Sequence, residues 1–143
     1  MNEKLSPQNT VYCLASYFKG NDFIRECKNL GHRVFLLTRE TKLNEAWARE
    51  SLDGIIPVSN DGKIKSYLHA ATKAVLINKP THLVALEEGD VITAGRLREH
   101  FGLPGMLSSQ ARLFRDKLSM RYKAKQSGIK QAEFVHADRK SVV

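Results

Sequence analysis

The sequence predicts an α/β protein in which a three-layer α/β/α parallel sheet is followed by a short basic helical extension and a terminal strand. Short apolar runs typical of buried strands alternate four times with segments that show helical spacing of their apolar residues. The connections are short, so consecutive strands lie parallel with a crossover helix between them. We therefore expect a Rossmann-like, doubly wound sheet.

Four apolar runs predict the strands of this sheet, at residues 10–15, 34–38, 54–58 and 82–86. A turn at residues 59–62 closes the third run, and Pro80 precedes the fourth. Runs of this length and apolar character are typical of strands that are buried on both faces. Ligands of such a sheet bind at the carboxyl ends of its strands, so the loops after them are where chemistry is expected.

Helices are predicted between these strands. The first begins at the break Gly20-Asn21-Asp22 and ends at Gly31; the second covers residues 43–51, the third covers residues 63–78, and the fourth follows Asp90, which we expect to cap it. In the first, the third and the fourth, apolar residues recur on one face, which indicates packing against the sheet. Cys13 and Cys27 fall in apolar runs, so both are expected to be reduced core residues.

A basic extension follows Gly102, because the sequence Leu103-Pro104-Gly105 cannot continue a helix. Ser108 and Ser109 are expected to cap a new helix, and a further helical stretch ends at Gly128. Residues 129–135 then predict a return strand. We expect one domain at residues 1–104 and the start of a second at residues 105–143.

The net charge of +8 is concentrated in this extension, since residues 112–143 carry nine Lys/Arg and three Asp/Glu. A positive end of this kind binds a phosphate ligand, an acidic partner or nucleic acid. The extension lacks the interleaved aromatic residues of single-strand binders, which disfavours nucleic acid. The loop at residues 16–20 contains only Gly20 of a G-x-G-x-x-G motif, so a dinucleotide site is disfavoured and Glu40 alone is weak support for one. The five histidines show no paired metal spacing.

The order of residues from 102 to 135 is G-x-P-G, serines, the triplet R-D-K, M-R, A-x-x-x-G-I and E-F-V. It resembles the ATP-grasp superfamily, in particular biotin-carboxylase-like and carbamoyl-phosphate-synthetase-like ligases. The resemblance implies that Lys117 is the first of two lysines that hold the nucleotide phosphates, that Arg115 and Asp116 position it, and that Glu87 faces the acceptor substrate. Residues 112–125 also fit a solvated basic helix face, and Glu87-Glu88 also fits an acidic helix start.

The function implied by the resemblance is ATP-dependent ligation, with Mg²⁺ and a carboxylate substrate in the complete enzyme. The resemblance covers only the opening part of such an enzyme, so we expect this chain to be inactive alone and to be a fragment, a natural truncation or one piece of a split ligase. Its partner is then a missing C-terminal half or a second copy. The alternative is a non-catalytic interaction module whose basic tail docks an acidic protein or nucleic acid. No segment resembles a signal peptide or a membrane span, which favours a cytoplasmic protein.

Overall fold

The structure, a computed structural model, describes residues 8–136. Within this part, the strands β1 (Thr10–Leu14), β2 (Arg33–Arg39), β3 (Gly54–Val58) and β4 (His82–Ala85) form one parallel sheet in the order β3-β2-β1-β4. The helices are α1 (Asn21–Asn29), α2 (Ile64–Val75), α3 (Val91–Phe101), α4 (Ser108–Arg115) and α5 (Lys117–Gln126). The predicted α/β three-layer fold is confirmed.

The sheet is buried on both faces because its strands are apolar at successive positions. Tyr12 and Leu14 of β1 pack with residues of α2 and α3 on one face. Val11 and Cys13, which alternate with them, pack with α1 and Trp47 on the other. The parallel register pairs Leu14 of β1 with both Leu37 of β2 and Ala85 of β4, so the carboxyl ends of these three strands lie at one edge of the sheet.

Helix α4 is held close to α3 by a glycine and an arginine. A Cβ atom at Gly95 would lie 2.6 Å from the backbone nitrogen of Ser108, so only glycine permits this approach. Arg98 donates hydrogen bonds to the carbonyls of Leu83 and Met106 at 2.8 and 2.6 Å. These contacts tie the loop at residues 102–107 to β4. The predicted division at residue 104 falls in this loop, and the separation into two domains stays a prediction.

The predicted helix at residues 43–51 is wrong. A short 3₁₀ turn, Glu40–Lys42, precedes the segment, and a second, Arg49–Ser51, ends it, with irregular backbone between the two turns. The reason is the side chain of Asn21, which donates to the carbonyl of Ala46 at 2.9 Å and accepts from the N–H of Ala48 at 3.0 Å. These backbone groups are therefore not free to pair within a helix. Asn21 also makes no cap for α1, whose first residue follows a left-handed Gly20.

The N-terminus of α4 is capped differently from the prediction. The helix begins at Ser108, and the carboxylate of Glu99 on α3 accepts hydrogen bonds from the Ser108 N–H and hydroxyl, each at 2.8 Å. The side chain of Gln110 accepts from the Leu107 N–H at 3.3 Å. The cap therefore comes from the neighbouring helix, and it adds to the contact between α3 and α4.

The strand predicted at residues 129–135 is also wrong. Residues 129–136 contain no regular secondary structure. The segment folds back on α5 instead: the Gln131 amide donates to the carbonyl of Arg121 at 2.7 Å, and the rings of Tyr122 and Phe134 meet edge to face at 5.2 Å. A strand needs a hydrogen-bonded neighbour, and packing of Phe134 on α5 places this segment against a helix.

Cys13 and Cys27 are free and buried, as predicted. Burial raises the pKa of both thiols, so they stay protonated and unreactive. Among residues 8–136, the helices fall short of the length and apolar character that crossing a bilayer requires.

Candidate functional site

At the carboxyl ends of β1 and β4, the chain segments that connect the strands leave toward opposite faces of the sheet. From β1 the chain passes through α1 on one face to reach β2, whereas α2 and α3 cover the opposite face. Open parallel sheets bind ligands in the crevice at such a point. The loops after β1 and β4 are therefore the place to look for a site.

Ser16 and Asp90 meet in this crevice although they are 74 residues apart. The Ser16 N–H donates to one carboxylate oxygen of Asp90 at 2.7 Å, and its hydroxyl donates to the other at 2.5 Å. Both residues are buried, with 3% and 4% exposure. The predicted capping role of Asp90 is wrong, because its side chain accepts no hydrogen bond from the backbone of α3. It joins the loop after β1 to the loop after β4.

The contact continues through Tyr67 to Arg39. The Ser16 and Tyr67 hydroxyls are 2.7 Å apart, and the Arg39 Nε lies 3.3 Å from the Tyr67 hydroxyl. Because the single Ser16 proton is directed to Asp90, the Tyr67 hydroxyl donates to Ser16 and accepts from Arg39. The result is a hydrogen-bonded chain that runs from a guanidinium at the end of β2 to a carboxylate at the start of α3. We call these four residues the edge network.

The edge network has a negatively charged group, the Asp90 carboxylate, at one end and a positively charged group, the Arg39 guanidinium, at the other. Burial raises the pKa of the Asp90 carboxyl, and the nearby Glu87 acts in the same direction, while the Ser16 hydrogen bonds and the charge of Arg39 oppose them. The hydrogen bond to Tyr67 raises the pKa of Arg39, which remains a cation. The Asp90 carboxylate is directed inward to Ser16, whereas Arg39 is only half-buried.

Glu87 lies in the loop after β4, next to this network. Its carboxylate accepts a hydrogen bond from the Gly89 N–H at 2.9 Å, and its carbonyl accepts from the Asp90 N–H at 3.1 Å. The side chain is half-buried. Glu87 therefore lies at the carboxyl edge of the sheet, and its substrate role stays a prediction.

Lys117 is the exposed first residue of α5. Asp116 caps this helix: its carboxylate accepts from the N–H groups of Leu118 and Ser119 at 3.0 and 3.3 Å. Arg115 lies 3.8 Å from the carboxylate of Glu88. The junction of α4 and α5 is therefore near the loop after β4, and Asp116 holds the backbone that carries Lys117. The nucleotide-binding roles of these three residues stay predictions.

Two cavities lie elsewhere on the described chain. One, of about 610 Å³, is formed mainly by residues 128–135 of the folded-back segment. The other, of about 600 Å³, lies between β3 and α2 and includes Ile55, His69 and Ile77. Lys117 lines neither of them. Residues 8–136 contain no group of three or more His, Cys, Asp or Glu side chains that would hold a metal ion.

The sequence suggested Glu87, whose role stays a prediction, and gave no indication of the edge network. Ser16 was placed in a loop of interest without a role, Asp90 was assigned to a helix cap, and Arg39 and Tyr67 received no role. Their positions in the sequence could have indicated them, because Ser16, Arg39 and Asp90 each follow the end of a predicted strand. Such positions meet at one edge of a parallel sheet.

The parallel sheet and the polar residues gathered at the carboxyl ends of its strands define a Rossmann-like α/β fold that continues into a basic helical extension. No family model and no curated protein sequence matches the chain. Solved structures match it at the level of fold.

An L-amino acid ligase from Bacillus licheniformis matches with a TM-score of 0.75 and 14% identity, over 88% of this chain and 32% of that one. The biotin carboxylase domain of a single-chain bacterial carboxylase matches with a TM-score of 0.61 and 19% identity, over 92% and 31%. The ADP complex of the N5-carboxyaminoimidazole ribonucleotide synthetase purK matches with a TM-score of 0.58 and 16% identity, over 89% and 31%.

These matches show a shared fold, and the chain spans about a third of each of these three proteins. The calicheamicin glycosyltransferase CalG4 also matches, with a TM-score of 0.57 and 13% identity, over 88% of this chain and 37% of that one. The fold is therefore shared with another class of enzyme, and the fold alone does not assign the chemistry.

Proposed function

We propose that this chain is the N-terminal portion of an ATP-dependent ligase of the ATP-grasp type. Bound ATP, with Mg²⁺, supplies the phosphoryl group that activates a carboxylate for capture by an amine, a thiol or another nucleophile. The chain contributes part of the nucleotide site and part of the acceptor site. Because it spans about a third of the ligases whose fold it shares, we expect no ATP turnover by the chain alone.

The observation that carries the proposal is the contact between Arg115 and Glu88. It joins the last residue of α4 to the loop after β4, and Lys117 follows that residue by two positions. Lys117 then provides an ammonium group for a nucleotide phosphate, and Asp116 fixes the first turn of α5 beneath it. Glu87 faces the acceptor substrate. We assign Mg²⁺ to no residue of this chain, since the described residues hold no suitable cluster.

Thermal unfolding with and without ATP and Mg²⁺ tests the nucleotide site, because a ligand that binds the folded state stabilises it. Lys117→Ala removes the proposed phosphate ligand. Lys123→Ala is the matched control, since Lys123 is an exposed lysine on the same helix. The proposal expects ATP to raise the Tm of the wild type and of Lys123→Ala, and not of Lys117→Ala. Equal shifts in all three proteins contradict it.

The rival function, an interaction module, is favoured by one feature of the extension. Several apolar side chains of the extension are exposed: Phe114, Met120, Tyr122 and Ile129. Together with the basic charge, they suit docking to the rest of a ligase, a second copy or an acidic protein. Nucleic-acid binding is the least favoured version, and it predicts an affinity that falls steeply with salt. The two free, buried cysteines fit our proposal of a cytoplasmic protein.

A further inference from the structure

Arg39 is the last residue of β2, and the terminal nitrogens of its guanidinium donate no hydrogen bond to another of residues 8–136. Its Nε is engaged by the neutral hydroxyl of Tyr67 at 3.3 Å. Among residues 8–136, no carboxylate lies within ion-pair distance of its guanidinium, whereas Arg25, an exposed arginine on α1, contacts both Asp22 and Glu50. A half-buried arginine without a carboxylate partner retains the two terminal nitrogens that bind carboxylate or phosphate in a fork.

The surroundings of Arg39 hold the guanidinium at the ligand-binding edge. The ring of Tyr17, in the loop after β1, lies 5.9 Å from the guanidinium carbon. The loop after β3 also passes close to it, since a Cβ atom at Gly62 would be 3.6 Å from an Arg39 terminal nitrogen. The Tyr67 hydroxyl accepts the hydrogen bond of the Arg39 Nε–H. The guanidinium is therefore oriented by neighbours that leave its charge unneutralised.

Tyr17 is open to solvent beside this cation. Its side chain is 57% exposed although it lies in the crevice region of the sheet. An aromatic face next to a free guanidinium is a combination that receives an anionic group and the apolar part attached to it.

The carboxylates near Arg39 accept hydrogen bonds from groups other than its guanidinium. Asp90 accepts both donors of Ser16, and Glu87 accepts from the Gly89 N–H. Asp61 accepts from the Lys63 N–H at the start of α2. Glu40 is exposed, and its carboxylate is 3.5 Å from the amide of Asn60. None of these groups satisfies the terminal nitrogens of Arg39.

We infer that Arg39, covered by Tyr17, binds an oxyanion group, carboxylate or phosphate, of the substrate that enters the carboxyl edge of the sheet. The identity of this substrate as the acceptor of a ligase rests on the proposed function. The binding of an oxyanion by Arg39 is independent of that function. The edge network then holds Arg39 in place through Tyr67, Ser16 and Asp90, so the guanidinium is already oriented before the anion binds.

Titration of the full chain with inorganic phosphate and, separately, with succinate tests the inference and distinguishes the two anions. The readout in every variant is the set of backbone amide resonances around Tyr17 and Gly62, which lie beside the Arg39 guanidinium. In proteins that retain Arg39, the resonance of its Nε–H is followed as well, and sodium chloride holds the ionic strength constant. We expect a saturable shift with at least one anion. Arg39→Gln should weaken binding by about tenfold or more, because hydrogen bonds to charged groups are worth about 1.5–3 kcal/mol.

Two variants provide controls. Arg25→Gln removes an exposed arginine of α1 and should bind as the wild type does. Arg39→Lys keeps the charge but loses the fork, and it should fall between the wild type and Arg39→Gln. The inference is overturned if neither anion shifts the Arg39 resonance, or if Arg39→Gln binds as tightly as Arg25→Gln. Because no ATP is present, this outcome is independent of the Lys117 experiment.

Discussion

Removal of the Asp90 carboxylate tests whether the edge network holds the two loops together. In Asp90→Ala, the buried Ser16 N–H and hydroxyl lose acceptors at 2.7 and 2.5 Å. Hydrogen bonds to a charged group are worth about 1.5–3 kcal/mol each, and relief of the cost of burying the charge offsets part of the loss. We therefore expect the free energy of unfolding to fall by about 3 kcal/mol, which lowers Tm by about 10 °C in a chain of this size.

Asp61→Ala is the matched control for this experiment. Asp61 also accepts one backbone N–H and one serine hydroxyl, from Lys63 and Ser66, each at 2.9 Å, but its environment is exposed. Water replaces these bonds in the variant, so a clearly smaller loss is expected. Urea unfolding of both variants, followed by circular dichroism, measures the difference. If Asp90→Ala is no less stable than Asp61→Ala, the buried Ser16–Asp90 contact does not have the role assigned to it.

Three further outcomes are expected. Tyr67→Phe should lower stability by about 1–2 kcal/mol in urea unfolding, since it breaks the chain to Arg39, and an unchanged midpoint would contradict this. Gly95→Ala should cost about 2–3 kcal/mol, because the new Cβ meets backbone of Ser108; a Tm equal to that of the wild type would show that α4 does not pack this closely. The pKa of the Asp90 carboxyl is raised in the folded state, so the folded state holds its proton to a higher pH than the unfolded state does. The free energy of unfolding of the wild type, measured relative to Asp90→Asn, should therefore fall as the pH rises from about 4 through the raised pKa. A difference between the two proteins that stays constant with pH would refute the assignment.

The strands could be predicted because the information about them is local. Residues 34–38 are apolar at every position up to Thr38 and lie between helix-breaking and polar residues, and they became the core of β2. Gly31 and Gly102 likewise marked helix ends that the structure confirms, each with a positive φ. Such signals are contained within a few neighbouring residues.

The errors arose where distant side chains decide the backbone. Residues 43–51 show helical spacing, but Asn21 takes the backbone groups of Ala46 and Ala48. The cap of α4 comes from Glu99 on α3, while the local serines suggested a self-contained cap. These partners become neighbours only in the folded chain, so spacing rules do not reveal them.

The candidate site was predictable only in outline. The edge of the sheet and Glu87 followed from topology and resemblance. The edge network did not, because its members come from three strand ends and one helix, and a serine, a tyrosine, an arginine and an aspartate are each ordinary at such positions. Their burial and their directional hydrogen bonds identify them, and both are properties of the folded structure.

The most direct test of the nucleotide proposal is an NMR titration of the ¹⁵N-labelled full chain with ATP and Mg²⁺. The proposal predicts that the amide resonances perturbed first belong to the start of α5 around Lys117 and to the loop that contains Glu87 and Glu88. Perturbations confined to the cavity between β3 and α2, or none at saturating ATP, would contradict it.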